Sequence, residues 1–392
     1  QLEYATYIGE LKLIRAWVYF KMVQIYGKVP YFEEALSNYQ QTAELHEKLN
    51  TLRTEEYVLD TIMAQLVEID TFDMNLLEES PFYSIRVKKF TNWALQGDIY
   101  LWQSNFAFAK RMYDKVINIM SQDGWRGTSR LPYIIAWNYQ DINWKTIFQF
   151  NYSSEAFETE ALMVIPFSKL YNQQHNLQKV FMLGEGGAYL LRPTDYLLNL
   201  YQAQQVIRYE VQTEHVRGTK GDLNRGKGVT YDSLAGRPVI TKFSLYREAF
   251  DNDAGILIYR TADFHLKTCE VYARSKKGSD AMAHLNEGLL YASAWGTGTR
   301  IRANLTSMSV ADPKNIESVE DVIMEERAME LAVEGYRWFD LMRIARHRAS
   351  PEYLAEKVSA KFSDEKKRAE VRERLLDMNN WYLPLQLNKI SD

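Results

Sequence analysis

The sequence predicts a mainly α-helical fold, in which tetratricopeptide-like helical hairpins carry a large loop-rich, partly β insertion. Long stretches near both ends have apolar residues at helical spacing. A helix–turn–helix pattern of small and aromatic residues occurs twice. Residues 121–256, in contrast, lose the helical period and are rich in Gly, Asn, Tyr and Trp.

The first two helices are predicted from their periodicity and their ends. Apolar residues recur every three or four positions over 8–26, and Gly27 followed by Pro30 is a usual end for a helix. A second helix is predicted over 54–71, with Thr54 as its N-cap.

Residues 90–120 have the spacing of a tetratricopeptide-type hairpin. Gly97 lies on its first predicted helix and Tyr113 on its second, and a small residue lets the two helices approach while aromatic side chains fill the groove. A similar hairpin is predicted over 262–295, with its turn at 277–279.

The stretch between the hairpins is predicted to be irregular. Residues 146–153 alternate like a short strand, and residues 217–228 are typical of an exposed loop. Functional surfaces tend to lie on such loops, held by a rigid scaffold. We predict a single domain over residues 1–392, with a hairpin scaffold at 1–120 and 257–349, the insertion at 121–256 and a closing segment at 350–392.

Composition excludes several classes of protein. A net charge of -4 gives no basic excess for nucleic acid. Cys269 is the single cysteine, so a disulfide framework is excluded, and its neighbour His265 would make only half a metal site. No run of about 18 apolar residues occurs, and neither a GxSxG nor an HExxH pattern is present. We expect no metal, no cofactor and no enzymatic activity.

The segment ERAMELAVEGYRWFDLMR, residues 326–343, is rich in charge. On one helix, its charged residues from Arg327 onward form a continuous stripe. Because each carboxylate has an Arg within one turn, its pKa would stay low, which favours a structural ion-pair network over acid–base catalysis or ligand contact. The motif comprises Glu326, Arg327, Glu330, Glu334, Arg337, Asp340 and Arg343.

Several separated stretches resemble, in the same order, motifs of the SusD/RagB family of Bacteroidetes outer-membrane nutrient-binding lipoproteins. These stretches are 13–31, 93–117, 259–274, 300–303, 323–343 and 380–390. Arg260, Asp263 and Glu270 match the family's "R.AD..L..aEa" helix. Where the family often has Asp-x-Arg, this chain reads Val206-Ile207-Arg208, so no role is carried over for that acid.

The resemblance implies a cell-surface protein of the outer membrane. It implies a glycan or oligosaccharide ligand, with peptides for the RagB branch, and a SusC-like TonB-dependent transporter over which the protein acts as a ligand-capturing lid. The family begins at a lipidated Cys, whereas Cys269 lies within a predicted helix. We therefore expect a trimmed or truncated form without its lipid anchor.

Sugar binding needs flat aromatic faces together with amide, carboxylate or Arg groups, and two stretches offer them. The first, over 125–144, contains Trp125, Tyr133, Trp137, Tyr139 and Trp144, interleaved with Arg130, Asn138 and Asp141. The alternative is that these aromatic residues pack the insertion onto the helices. The second stretch, over 184–196, places Tyr189 and Arg192 beside glycines.

Together these features predict a non-enzymatic nutrient-binding protein of the cell surface that passes glycans to a transporter. One alternative is a peptide-binding, RagB-like member of the same family. Others are a helical-repeat scaffold that binds only protein partners and a hydrolase.

Overall fold

The computed structural model describes most of the predicted scaffold and parts of the insertion. The described residues are 2–33, 38, 40–41, 52–71, 87, 89–122, 148, 161–184, 186–203, 205–207, 214–216, 229–231, 236–243, 253–289 and 311–385. The strand predicted over 146–153, apart from Phe148, and the loop predicted over 217–228 lie outside them.

The described residues are mainly helical, which confirms the predicted fold class. The helices are α1 (Leu2–Tyr26), α2 (Glu55–Ile69), α3 (Lys89–Trp102), α4 (Phe106–Gln122), α5 (Asp195–Ala203), α6 (Thr261–Arg274), α7 (Gly278–Glu287), α8 (Ile316–Glu330), α9 (Arg337–His347), α10 (Pro351–Ser359) and α11 (Glu365–Leu376). The strands are β1 (Ala161–Ile165), β2 (Gln205–Ile207), β3 (Glu214–Val216), β4 (Val229–Tyr231), β5 (Pro238–Ile240) and β6 (Ile256–Arg260).

The strands form short antiparallel pairs, most of them within the predicted insertion. β1 pairs with β6, β2 with β3, and β4 with β5. In the last pair Val229 lies opposite Ile240, and both side chains are buried. The β1–β6 pair leads directly from the insertion into α6.

The first two helices form as predicted. α1 ends at Tyr26, and Gly27 follows with φ +72°, a left-handed conformation that suits glycine. Thr54 caps α2, since its side chain accepts a hydrogen bond from the backbone N–H of Tyr57. α1 begins earlier than its predicted start, at Leu2.

Both helical hairpins are confirmed over their described residues. A Cβ at Gly97 of α3 would lie 2.2 Å from the ring of Tyr113 on α4, so the two helices touch where only glycine fits. The second hairpin is α6–α7, and its turn ends at Lys277, because α7 already begins at Gly278.

The chain divides into two compact units. One comprises Gln1–Leu77, Asp98–Ser104 and Trp338–Asp392, and the other comprises Glu78–Gly97 and Asn105–Arg337. The single-domain layout stays a prediction.

In the first unit, Trp102 contacts residues of α1, α2 and α9. Its indole N–H donates to Glu55 at 3.0 Å, Arg346 lies 4.7 Å from its ring centre, and Phe20 of α1 contacts it edge-on. Among the helices that the structure describes, none is both long and apolar enough to cross a membrane.

In the second unit, α6 is the central helix. Its residues from Thr261 to Val271 are all buried, including Asp263 and Glu270. Because a buried charge is costly unless it is paired, α6 and the elements around it must supply partners. These partners form the charged network of this unit.

Candidate functional site

The aromatic stretch predicted to bind sugar lies outside the described residues. This concerns Trp125, Arg130, Tyr133, Trp137, Asn138, Tyr139, Asp141 and Trp144. Its role stays a prediction. The structure does place the charged motif and the segment that carries Tyr189 and Arg192.

The charged motif does not lie on one helix, so the predicted continuous stripe is wrong. α8 ends at Glu330 and α9 begins at Arg337. Between them Val333 has φ +62° and Gly335 has φ +86°. These left-handed conformations cannot continue a right-handed helix. Gly335 lies within the motif, and it is the residue from which this break between the two helices could have been predicted.

The break turns the carboxylates of the motif toward Arg260 at the end of β6. Arg260 donates through Nη1 to Glu330 at 3.0 Å, and through Nε and Nη2 to the two carboxylate oxygens of Glu334, each at 2.8 Å. Its side chain is fully buried. This two-pronged contact is the strong geometry for an Arg–carboxylate pair.

Lys242, two residues beyond β5, completes this group. Its ammonium donates to the carboxylate of Glu334 and to the backbone carbonyls of Glu330 (3.2 Å) and Ala332 (3.0 Å). Those carbonyls belong to the end of α8 and the loop after it, which lack helical partners. We call Lys242, Arg260, Glu330 and Glu334 the ion cluster.

A second buried pair links α8 to α6. Arg327 donates through Nη2 to Asp263 at 2.7 Å, and Lys267 donates to the same carboxylate at 2.7 Å. Arg337 reaches back to the carbonyl of Met324 at 2.9 Å. Arg327 and Arg337 thus hold α8 in place.

The last part of the motif lies in the first unit and forms a local pair. Asp340 and Arg343 approach to 3.0 Å within α9. Glu326, the first member of the motif, is buried in α8 of the second unit.

Burial and pairing set the ionisation of these groups. Burial alone would raise the pKa of Glu334, but Arg260 and Lys242 outweigh it and hold the pKa below its ordinary value. Burial would also raise the pKa of Asp263, and Lys267 and Arg327 hold it well below its ordinary value. These two carboxylates therefore stay ionised at neutral pH, which suits ion pairing and not proton transfer.

Burial has the opposite effect on Lys242. It lowers the pKa of the ammonium to about 8, although the charge of Glu334 favours protonation. The Lys242 ammonium nevertheless donates hydrogen bonds to three acceptors at the end of α8 and in the loop after it. The sequence contains no local signal for Lys242, because its partners lie about 90 residues away.

His265, which with Cys269 would make only half a metal site, is buried and hydrogen-bonded within the fold. The Nε2 of His265 lies 2.7 Å from the backbone carbonyl of His284, and burial lowers the pKa of His265 to about 3. The ring is therefore neutral and hydrogen-bonded. Within the described ranges, no group of three or more His, Cys, Asp and Glu side chains is placed to hold a metal ion.

A cavity of about 260 Å³ adjoins the ion cluster. Phe148, Phe243 and the left-handed Val333 form part of its wall. Glu334 also lines it, but this carboxylate is held by Arg260 and Lys242. The wall is thus mainly apolar.

Tyr189 closes a turn that begins at Met182, and Arg192 lies three residues beyond it. The backbone N–H of Tyr189 donates to Met182 O at 3.1 Å, which closes the turn. A Cβ at Gly187 would lie 2.4 Å from that same carbonyl oxygen, so this position requires glycine. Tyr189 itself has φ +42°, and its hydroxyl donates to Pro238 O of β5 at 2.9 Å.

The three residues after the turn face solvent. Leu190 is 73% exposed and Leu191 is 53% exposed, and Arg192 is exposed as well. The hydroxyl of Tyr189 is used within the fold, whereas Arg192 is open to a ligand. The structure therefore separates the roles of two residues that the sequence had grouped.

The segment is anchored on both sides. α5, which follows it, packs Leu197 and Tyr201 against Met329 of α8, and the Tyr201 hydroxyl donates to Met329 O at 2.9 Å. On the other side, β5 is followed by Lys242 of the ion cluster. The buried charges and the exposed turn thus belong to one connected set of elements.

Comparison with known proteins agrees with this fold. Residues 225–392 match the model of the SusD family. A SusD-like protein of Formosa agariphila is 23% identical over 362 residues, which are 86% of this chain and 66% of that protein. The chain thus spans somewhat less than two thirds of the length of this relative.

Solved structures resemble almost the whole chain. A SusD superfamily protein from Bacteroides thetaiotaomicron has a TM-score of 0.62 at 18% identity, covering 96% of this chain and 72% of its own. A SusD-like carbohydrate binding protein from Bacteroides fragilis has a TM-score of 0.59 at 16% identity, covering 93% of this chain and 74% of its own. The model of the SusD family is thus matched at residues 225–392, and the helical fold of SusD superfamily structures is shared along almost the whole chain.

Proposed function

We propose that this protein is a non-enzymatic nutrient-binding protein of the cell surface. It captures glycans or oligosaccharides and passes them to a SusC-like TonB-dependent transporter of the outer membrane. The observation that carries the proposal is the fold shared over 93% of the chain with the carbohydrate binding protein from Bacteroides fragilis. At 16% identity this likeness gives the fold alone, so the ligand is argued from the residues of this chain.

The aromatic stretch over 125–144 supplies the chemistry for sugar binding. Its Trp and Tyr rings offer apolar faces, and Arg130, Asn138 and Asp141 offer hydrogen bonds to hydroxyl groups. Since each aromatic contact adds about 0.5–1.5 kcal/mol beyond its burial, two or three of them support weak capture. This strength suits a protein that must release its ligand to a transporter.

The described surface at Leu190–Arg192 supports the same function. It offers apolar and cationic groups to solvent, on a backbone held by the Tyr189 hydroxyl and by α5. A surface that is already ordered loses less entropy when it binds.

The ion cluster supports a binding role and not a catalytic one. Glu334 is buried and its pKa is lowered, so it does not supply the proton of a general acid. We propose that the cluster and the Arg327–Asp263 pair hold the scaffold under the ligand surface.

A ligand titration tests the proposal. Tryptophan fluorescence and calorimetry are followed while oligosaccharides and, separately, peptides are added to the wild type and to Trp137→Ala and Trp125→Ala. We expect saturable binding of an oligosaccharide class that is lost in either variant. Tyr4→Ala is the control, because Tyr4 is an aromatic residue of α1 that is 71% exposed and lies in the other unit.

The alternatives give different results. Binding of peptides alone would contradict glycan capture and indicate a RagB-like protein. Binding of neither class would overturn the nutrient-binding proposal, and release of products from a polysaccharide would show a hydrolase. Delivery is tested separately by tagging the lipid-anchored protein in its own cells, because a transporter partner should co-purify from the outer membrane.

A further inference from the structure

The surface around the Tyr189 turn is cationic, although the chain as a whole has a net charge of -4. Residues 161–203 and 236–243 contain five cationic and two acidic side chains. The cationic ones are the exposed Lys169, Lys179, Arg192 and Arg237 and the buried Lys242 of the ion cluster, and the acidic ones are Glu185 and Asp195. Charge is therefore distributed unevenly over this unit.

Three of these cations lie on backbone segments that hydrogen bonds join to one another. The N–H of Ala188 donates to Lys179 O at 2.8 Å, which places the Lys179 backbone beside the turn. The Tyr189 hydroxyl donates to Pro238 O at 2.9 Å, so Arg237, the residue before Pro238, also lies close. Arg192 follows Tyr189 by three residues.

All three side chains are exposed, and they carry no ion pair in the part of the chain that the structure describes. We call Lys179, Arg192 and Arg237 the cationic surface. Holding like charges together on a surface is unfavourable, and an anionic ligand would offset that repulsion. Arginine in particular matches the geometry of a carboxylate or sulfate group, to which it can donate two parallel hydrogen bonds.

The same segment also fits the C–H faces of a carbohydrate. Leu190 and Leu191 lie exposed in it and offer apolar contact for the faces of sugar rings.

We propose that the ligand of this surface is an anionic glycan, whose carboxylate or sulfate ester groups are held by Lys179, Arg192 and Arg237. The inference rests on the proposed glycan-binding function and narrows the class of ligand.

The test compares three oligosaccharides of equal length in the full chain. They are an oligogalacturonate with carboxylates, a carrageenan oligosaccharide with sulfate esters, and an uncharged malto-oligosaccharide. Binding is measured by calorimetry at about 0.02 M and about 0.5 M NaCl, because the screening length falls from roughly 20 Å to roughly 4 Å over that range. We expect an anionic ligand to bind more tightly than the neutral one and to weaken in high salt.

Variants test whether the preference for an anionic ligand arises at the cationic surface. Each of Lys179→Gln, Arg192→Gln and Arg237→Gln should weaken anionic binding about threefold, as expected for an exposed charge pair, and the triple variant about 20-fold or more. Binding of a neutral glycan should not change. Lys366→Gln is the matched control, since Lys366 is an exposed lysine of α11 in the other unit.

The possible results distinguish the anionic-glycan inference from the proposed glycan-binding function on which it rests. Preference for the carboxylated or for the sulfated probe supports the inference and identifies the group. Neutral glycans that bind as tightly as anionic ones, with no effect of salt or of the triple variant, would overturn the inference and leave glycan capture intact. Absence of binding to all three probes would overturn both.

Discussion

The ion cluster and the cationic surface use the same side chains in opposite environments. Lys242 and Arg260 are buried, and each donates to carboxylates and to backbone carbonyls. Lys179, Arg192 and Arg237 are exposed, with no ion-pair partner among the described residues. Both groups lie within one compact unit.

The difference shows where a charge contributes to the fold and where it is available to a ligand. A buried charge has lost its water, so the fold must replace every hydrogen bond, and removing a partner leaves an uncompensated charge. An exposed charge keeps its water and contributes little to stability. Substitutions should therefore change stability at the ion cluster and binding at the cationic surface.

The largest effect is expected for Arg260→Met. The change removes the described ion-pair partner of Glu330 and two of the three donors to Glu334, and both carboxylates remain buried. We expect a loss of about 3–5 kcal/mol in the free energy of unfolding, measured in urea.

Two further variants test the reason for that loss. Arg372→Met should cost less than about 1 kcal/mol, because Arg372 is 42% exposed and pairs with the exposed Glu356. The double variant Arg260→Met/Glu330→Met should recover part of the lost stability. It also removes the buried carboxylate of Glu330, whose ion pair with Arg260 is lost in the single variant. An Arg260→Met protein within about 1 kcal/mol of the wild type would contradict the buried-charge account.

The next effect depends on pH and concerns Lys242, whose pKa burial lowers to about 8 from an ordinary value of 10.5. Below pH 8 the ammonium is charged in the folded and unfolded states, and the cost of burying it is present in full. Between pH 8 and 10.5 the folded protein releases the proton first, so stability rises with pH by up to about 3 kcal/mol.

The comparison with Lys242→Met isolates this contribution. Other groups titrate equally in both proteins, so the wild-type free energy of unfolding should rise relative to the variant between pH 7.5 and 10. A difference that stays flat, or falls, would show that burial does not lower this pKa.

How much of the fold and of the candidate site the sequence could predict depends on how far apart in sequence the interacting residues lie. Gly27, Thr54 and Gly97 act within a helix end or a helical pair, and local spacing predicted all three correctly. The ion cluster joins α8 to residues about 70 to 90 positions away, so its partners could not be found from spacing. Arg260 and Asp263 were noticed only as matches to the family motif. The loop after Glu330 was not predicted, because the helical spacing of the charged residues favoured one continuous helix although Gly335 lies among them.

A smaller effect is expected for Tyr189→Phe, which tests how the exposed segment is held. The change removes the hydrogen bond from the Tyr189 hydroxyl to Pro238 O. We expect a loss of about 0.5–1.5 kcal/mol in the free energy of unfolding. Tyr171→Phe is the control, since Tyr171 is 66% exposed and should change stability by less than about 0.5 kcal/mol. Equal effects of the two changes would show that the hydroxyl does not anchor the turn.

The smallest effect on stability is expected where binding should change most. The triple variant Lys179→Gln/Arg192→Gln/Arg237→Gln removes exposed charges without breaking a described ion pair, so each change should alter the free energy of unfolding by less than about 0.5 kcal/mol. Because the three cations repel one another, the sum should be zero or slightly stabilising. Added salt screens that repulsion and should therefore stabilise the wild type more than the variant.

Urea unfolding at low and high salt measures this difference, with Lys366→Gln as the single-charge control in the other unit. A triple variant destabilised by more than about 1 kcal/mol would mean that these cations hold the fold, as Arg260 does. The contrast between the two groups would then fail, and a loss of glycan binding in that variant could not be assigned to the ligand contact. An unchanged stability makes any loss of binding a property of the surface itself, because the backbone that carries the three side chains is still in place.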